Sequence, residues 1–216
     1  MEMRRAYLVG YNGVEAMGWM VVLTLAVRCA VERGRSWTYD VVRDALVTVQ
    51  IASFAEVLHA LIGLTRTPAA AALMQWAGRT HCLLCALDGV RSNHSSDAAT
   101  VLVFAWAITE VIRYPAYVCG LLGIESKALT WARYTVFVPL YPLGAGAEMK
   151  LMYDARAHAR RTKMYAIEMP NAYNFAFDYP TFLNALLVLY PFLFHGLYSY
   201  MFAQRRKKLG GKEKQS

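Results

Sequence analysis

The sequence predicts an all-α polytopic membrane protein: a bundle of six transmembrane helices forming one domain over residues 1–216. Three observations predict it. Hydrophobic residues fill 57% of the 216 positions and charged residues only 18%. The apolar residues gather into six runs, each near the roughly 20 residues a helix needs to cross a bilayer. The surplus behind the net charge of +8 sits in the connections and in Arg205-Arg206-Lys207-Lys208, directly after an apolar run. Basic residues so placed meet lipid headgroups, which accounts for the charge without nucleic acid as a partner.

The first run, 6–27, is long and lacks a leader-cleavage site, so it reads as a retained span. The second, 42–64, carries Glu56 and His59 three apart on one helical face. An E-x-x-H pair can be half of a carboxylate-bridged metal site, but no second E-x-x-H accompanies it. A local hydrogen-bonded pair is expected instead. The third run, 69–90, is interrupted by Arg79, His81 and Asp88. With no matching second cluster, His81, Cys82 and Cys85 read as packing residues and not metal ligands. Cys85 and Arg91 have the C-x5-R spacing of cysteine phosphatases. A single intervening glycine and an apolar helical setting do not suit the loop of N–H groups that chemistry needs. The four cysteines have no spacing suited to a disulfide framework.

In the fourth run, 98–122, Glu110 and Arg113 stand three apart. An intrahelical ion pair would lower the cost of both charges, and Arg113 with Tyr114 and Tyr117 would line a polar pocket. The fifth run, 129–152, leads into a polar connection, 153–178, whose segment 158–163 is expected to lie on the membrane surface. The sixth run is 179–203, followed by a short basic tail at about 204–216. Trp37, Tyr39, Trp131, Tyr179, Tyr198 and Tyr200 cluster near run ends, as an interfacial belt does. No internal repeat is visible, which counts against transporter folds built from two similar halves.

Basic residues divide almost evenly between the two sides, so their count does not orient the chain. The ending Lys212-Glu213-Lys214-Gln215-Ser216 matches a K-x-K-x-x dilysine signal, read on the cytosolic face of the endoplasmic reticulum. Both termini are therefore expected in the cytosol. Asn93-His94-Ser95 is a glycosylation sequon in the connection that this orientation makes lumenal.

The segment Leu140-Tyr141-Pro142-Leu143-Gly144-Ala145-Gly146-Ala147-Glu148 carries the sharpest functional signal. An ionisable group inside a membrane span marks a functional site by default. Tyr141 and Glu148 are two turns apart, about 10 Å along a regular axis, and share a face. Helical side chains lean toward the N-terminus, which tips Glu148 toward Tyr141. Pro139, Pro142, Gly144 and Gly146 predict an irregular helix here, with the glycines allowing close approach of substrate or backbone. A phenol and a carboxyl facing one apolar pocket suit acid–base chemistry on a lipid-like substrate.

At these residues the chain resembles the very-long-chain 3-hydroxyacyl-CoA dehydratases, also called the protein tyrosine phosphatase-like family. The matching pieces run through nearly the whole chain in order. They are Tyr7-Leu8 with Tyr11-Asn12; Glu56-Val57-Leu58-His59 with Gly63, Pro68, Gln75 and Arg79; Trp106, Glu110, Ile112-Arg113-Tyr114 and Tyr117; Arg133-Tyr134-Thr135; Leu140-Tyr141-Pro142, Gly144 and Glu148; and Tyr200-Met201, Gln204-Arg205 and Leu209. The chain departs from the family pattern at Gly78, Ala107 and Pro115.

The resemblance implies that Tyr141 and Glu148 are catalytic, and that Glu56, His59, Arg113, Tyr114, Tyr117, Arg133 and Tyr134 are substrate-pocket candidates. It implies dehydration of 3-hydroxyacyl-CoA to trans-2-enoyl-CoA, the third step of very-long-chain fatty acid elongation. The implied setting is the endoplasmic reticulum membrane, with membrane lipid, a condensing enzyme and reductases as partners. The reaction requires no metal or redox cofactor. Glu148 as base with Tyr141 as acid is one assignment, and Glu148 activating Tyr141 is the other. The rival readings are a non-catalytic scaffold of the elongation machinery and a lipid transporter.

Overall fold

The computed structural model describes residues 2–210, and the regular elements among them are helical. The dilysine-like ending from Lys212 lies outside the described residues. The helices are α1 (Glu2–Glu32), α2 (Thr38–Ala52), α3 (Ala55–Leu61), α4 (Ala69–His81), α5 (Asp97–Leu122), α6 (Lys127–Arg133), α7 (Phe137–Thr162) and α8 (Tyr179–Leu209). A π-helical stretch, Cys82–Asp88, continues α4.

Among the described residues, three helices are long and apolar enough to cross a membrane: α1, α5 and α8. The other three predicted runs are each divided. The second bends at Ser53 and Phe54 into α2 and α3. The third changes pitch after His81, and the fifth breaks after Arg133 into α6 and α7. From Phe137, α7 then runs without interruption to Thr162. The irregularity foreseen at the prolines thus falls just upstream of them, and segment 158–163 is mostly the end of α7. Pro139 sits in the first turn, where a missing N–H has no acceptor to lose. Pro142 lies deeper and would leave the carbonyl of Val138 without its helical donor. The Tyr198 hydroxyl donates to that carbonyl at 2.9 Å.

α1 buries Leu8, Asn12, Glu15, Trp19, Val22, Ala26 and Cys29. Their alternating spacing of four and three draws one stripe down the helix, the pattern of a helix packed along its length on a neighbour. That neighbour is chiefly α5, which also packs on α7, and α7 on α8. Trp19, Val22, Leu46, Leu83, Leu102 and Leu151 form the centre of the core. Gly18 permits the contact of α1 with α2, because a methyl group there would come within 2.5 Å of Val49 Cγ1. Gly144 faces Ala105 across the α5–α7 contact, whereas Gly146 points into open space. Helix ends are capped as their sequences suggest. Ser96 accepts from Ala99 N, Ser126 from Leu129 N and Asp178 from Thr181 N.

The outward faces are strongly apolar. Val14, Met17, Leu61, Ile62, Val188, Phe192 and Leu193 are all exposed, Phe192 at 73%. Apolar surface this extensive is what a chain in contact with lipid presents. The sequon has a different role from the one its motif suggests. Asn93 is 2% exposed, and its amide donates to the carbonyls of Ala86 at 2.7 Å and Leu151 at 3.0 Å. This amide ties three segments together and is closed to a glycan in the folded chain.

Candidate active site

α5 supplies the spine of the site. Trp106, Glu110, Arg113 and Tyr117 recur every three or four residues and so share one face, with Tyr114 beside them. Glu110, 3% exposed, accepts from Arg113 Nε one turn along its own helix and from Arg79 Nη1 on α4. The other two Arg113 nitrogens fork onto both oxygens of Glu56 on α3, at 2.9 and 3.0 Å. The Tyr114 hydroxyl donates to the same carboxylate at 2.6 Å. Two carboxylates and two guanidiniums thus alternate in the order Glu56, Arg113, Glu110, Arg79. Alternation and bidentate geometry offset the cost of taking four charges out of water.

Glu148 stands beside this chain of charges, held by neutral donors. Trp106 Nε1 donates to Oε1 at 2.9 Å and the Tyr190 hydroxyl to Oε2 at 2.5 Å. The two donors come from α5 and α8 and approach opposite oxygens, so the carboxyl plane is fixed. The Arg79 guanidinium lies over the Trp106 ring, 4.2 Å from its centroid. Arg79 therefore joins the ion pairs to the Glu148 end of the site. Tyr141, two turns back on α7, is half-buried with its ring against Phe137 at 5.5 Å. Tyr141 and Glu148 thus stand two turns apart on one helix, and Glu148 hydrogen-bonds to Tyr190 and not to Tyr141.

Most of the other sequence candidates join this assembly. Glu56, Arg113 and Tyr114 are bonded to one another. The Arg133 guanidinium lies 4.5 Å from the Tyr117 ring centroid and 5.5 Å from that of Tyr134. The expected ion pair of Glu110 with Arg113 is present. The expected bond between Glu56 and His59 is not. Glu56 turns to the charged fork of Arg113, a stronger partner than a neutral ring. His59, 4% exposed, meets the Tyr7 hydroxyl of α1 at 2.9 Å, with the Tyr11 ring edge-on at 4.8 Å. Sequence reasoning left Arg79, Trp106 and Tyr190 out of the site. Trp106 stands four residues before Glu110 and so on the Arg113 face, a signal that was available. Tyr190 sits in an apolar run and carries no comparable signal.

The family model of the protein tyrosine phosphatase-like protein, PTPLA, matches residues 50–211. The chain belongs to this family. It is 37% identical over 210 residues to very-long-chain (3R)-3-hydroxyacyl-CoA dehydratase 2 of Mus musculus, covering 96% of this chain and 82% of that one. It is 38% identical over 208 residues to very-long-chain (3R)-3-hydroxyacyl-CoA dehydratase PASTICCINO 2B of Oryza sativa subsp. japonica, covering 95% and 94%. With very-long-chain (3R)-3-hydroxyacyl-CoA dehydratase PASTICCINO 2 of Arabidopsis thaliana the identity is 37% over 210 residues, covering 95% and 94%. No solved structure matches the chain. In this PTPLA chain the phosphatase-like spacing builds no anion loop. Cys85 lies in the π-helical stretch, and Arg91 turns away to Asp40 at 3.3 Å.

Proposed function

We propose that the chain is a hydro-lyase that dehydrates 3-hydroxyacyl-CoA to trans-2-enoyl-CoA in very-long-chain fatty acid elongation. The observation that carries the reading is Glu148, held at both oxygens inside an apolar bundle, two turns along α7 from Tyr141. The dehydratase names of relatives aligned over nearly the whole chain support it. Glu148 takes the C2 proton, and Tyr141 protonates the departing C3 hydroxyl. Fixed donors from Trp106 and Tyr190 aim the carboxylate before substrate arrives, which is where an acid–base site gains most from its surroundings.

The chain crosses the endoplasmic reticulum membrane six times with both termini in the cytosol. α1, α5 and α8 are three of the crossings. The other three are α2 with α3, α4 with the π-helical stretch, and α6 with α7. The acyl tail lies between helices, and Lys127 and Arg133 meet the CoA phosphates on the cytosolic side. Membrane lipid surrounds the bundle, and the condensing enzyme and reductases of the elongation cycle are its working partners.

The test is turnover of 3-hydroxyacyl-CoA by purified wild type, Tyr141→Phe and Glu148→Gln. Wild type is expected to release enoyl-CoA and each variant to lose at least about 100-fold, the lower range for general acid–base groups. A wild-type chain without turnover would instead favour the scaffold or transporter. For orientation, a tag fused after Ser216 is expected to be cleaved by protease in intact microsomes, and a protected tag would reverse the topology.

A further inference from the structure

Arg79 carries five N–H hydrogens in a fixed plane. Nη1 is spent on Glu110. Nε and Nη2 share the opposite, side-on edge of the guanidinium, and both are buried without a partner. Leaving donors of a cation unpaired in a bundle interior is costly, so this edge is where an oxygen acceptor belongs. Its geometry fits paired lone pairs or a single oxyanion. The group is also held in place. Its face lies on Trp106, with the Trp19 ring centroid 5.5 Å away, and Glu110 fixes the far nitrogen. Because Trp106 donates to Glu148, the unpaired edge is one indole away from the carboxylate assigned as base.

A second observation points the same way. Tyr11 Oη, Glu15 Oε2 and Trp19 Nε1 are also buried and unpartnered. They recur every four residues on α1 and so share a face, which meets Tyr114 at the Tyr11 end and Arg79 at the Trp19 end. A strip of unsatisfied polar atoms therefore leads along α1 to Arg79.

We propose that Nε–H and Nη2–H of Arg79 form the oxyanion site that receives the thioester carbonyl oxygen of the substrate. This rests on the dehydratase reading above. In the step it serves, the C2–H bond breaks and the proton passes to Glu148. The electron pair moves into the C1–C2 bond, and the carbonyl oxygen takes the negative charge against Arg79. The pair then returns to make the C2=C3 double bond as the C3–O bond breaks. The hydroxyl leaves as water with the Tyr141 proton, and the proton on Glu148 restores Tyr141. Without a fixed cation, that enolate charge would develop in a low-dielectric interior, where preorganised donors are worth most. Arg79 is thus a catalytic residue, and Glu110 the positioning residue that sets its plane.

The experiment uses the full chain in lipid nanodiscs. Arg79→Lys keeps a cation for Glu110 but removes the planar fork. Its kcat is expected to fall about 100- to 1000-fold, the cost of losing an oxyanion donor, with KM within a few-fold. The second measurement is the infrared carbonyl stretch of bound trans-2-enoyl-CoA labelled with 13C at the thioester carbon. In wild type the stretch is expected to shift to lower frequency than in free solution, and in Arg79→Lys to move back. Wild-type kcat in Arg79→Lys would overturn the proposal, as would a wild-type stretch identical to that in solution. The second outcome decides even if the variant does not fold. Absence of turnover by wild type would instead remove the dehydratase reading itself.

Discussion

Two polar clusters are built into this bundle, and they follow opposite rules. In one, the start of α2 meets the end of the π-helical stretch and the turn that follows it. There Asp88 accepts from the Tyr39 hydroxyl and from two nitrogens of Arg43, and His94 bridges Asp40 and the Asp88 carbonyl. Both oxygens of Asp88 and both ring nitrogens of His94 have partners, and the Arg43 side chain reaches the surface at 45% exposure. In the inner cluster, Arg79 keeps two unpaired nitrogens and Glu148 has neutral donors in place of a cation. Matched charges hold segments together. Mismatched ones, held in place by their neighbours, mark where a ligand's groups enter.

The strongest test of that rule uses a residue that sits inside but is matched. Arg113 has all three nitrogens on carboxylates. By the rule it is structural, although it is central to the site. Arg113→Ala leaves Glu56 without a cation and Glu110 with Arg79 alone, and breaking a buried pair this way costs about 3–5 kcal/mol. Thermal unfolding in detergent should show a large fall in Tm. An unchanged Tm with lost activity would move Arg113 to the ligand-binding class and blur the distinction.

Glu148→Gln is the converse case. The amide keeps the shape and can still accept from one donor, so Tm should stay close to wild type. Turnover should fall at least about 100-fold. A variant that loses stability and activity in parallel would show that Glu148 is held for packing.

Tyr190→Phe probes the same carboxylate from its other oxygen. One charge-assisted hydrogen bond is removed and Trp106 still holds Oε1. Such bonds contribute about 1.5–3 kcal/mol, so kcat should fall roughly 10- to 100-fold. A loss as complete as that of Tyr141→Phe would make Tyr190 the proton donor and reassign the acid of the reaction.

These residues also indicate what the sequence could reveal. Tyr141 and Glu148 lie in one segment, so helical spacing alone related them. Trp106 and Tyr190 each lie 42 residues from Glu148, and no local pattern links them to it. The helices behave alike. α1, α5 and α8 coincide with uninterrupted apolar runs, which hydropathy detects directly. The bend at Ser53 and Phe54 and the pitch change after His81 carry no proline or glycine to announce them, and tertiary packing sets both. Asn93 is the plainest case: its motif matched a sequon, and only the fold shows both its N–H groups spent on carbonyls of Ala86 and Leu151.

The smallest expected effect lies in the matched cluster and completes the comparison. Asp88→Asn keeps an acceptor for Tyr39 but turns an amide toward a nitrogen of Arg43 and removes the ion pair. Arg43 is partly exposed, so solvent screens the pair and the loss should be about 1 kcal/mol or less. For a chain of this length that lowers Tm by about 2–4 °C. kcat and KM should stay at wild-type values, because Asp88 touches neither Glu148 nor the alternating ion pairs. A fall in kcat without a change in Tm would show that the two clusters are coupled through α4 and the π-helical stretch. Matched charge would then no longer separate structure from function in this fold.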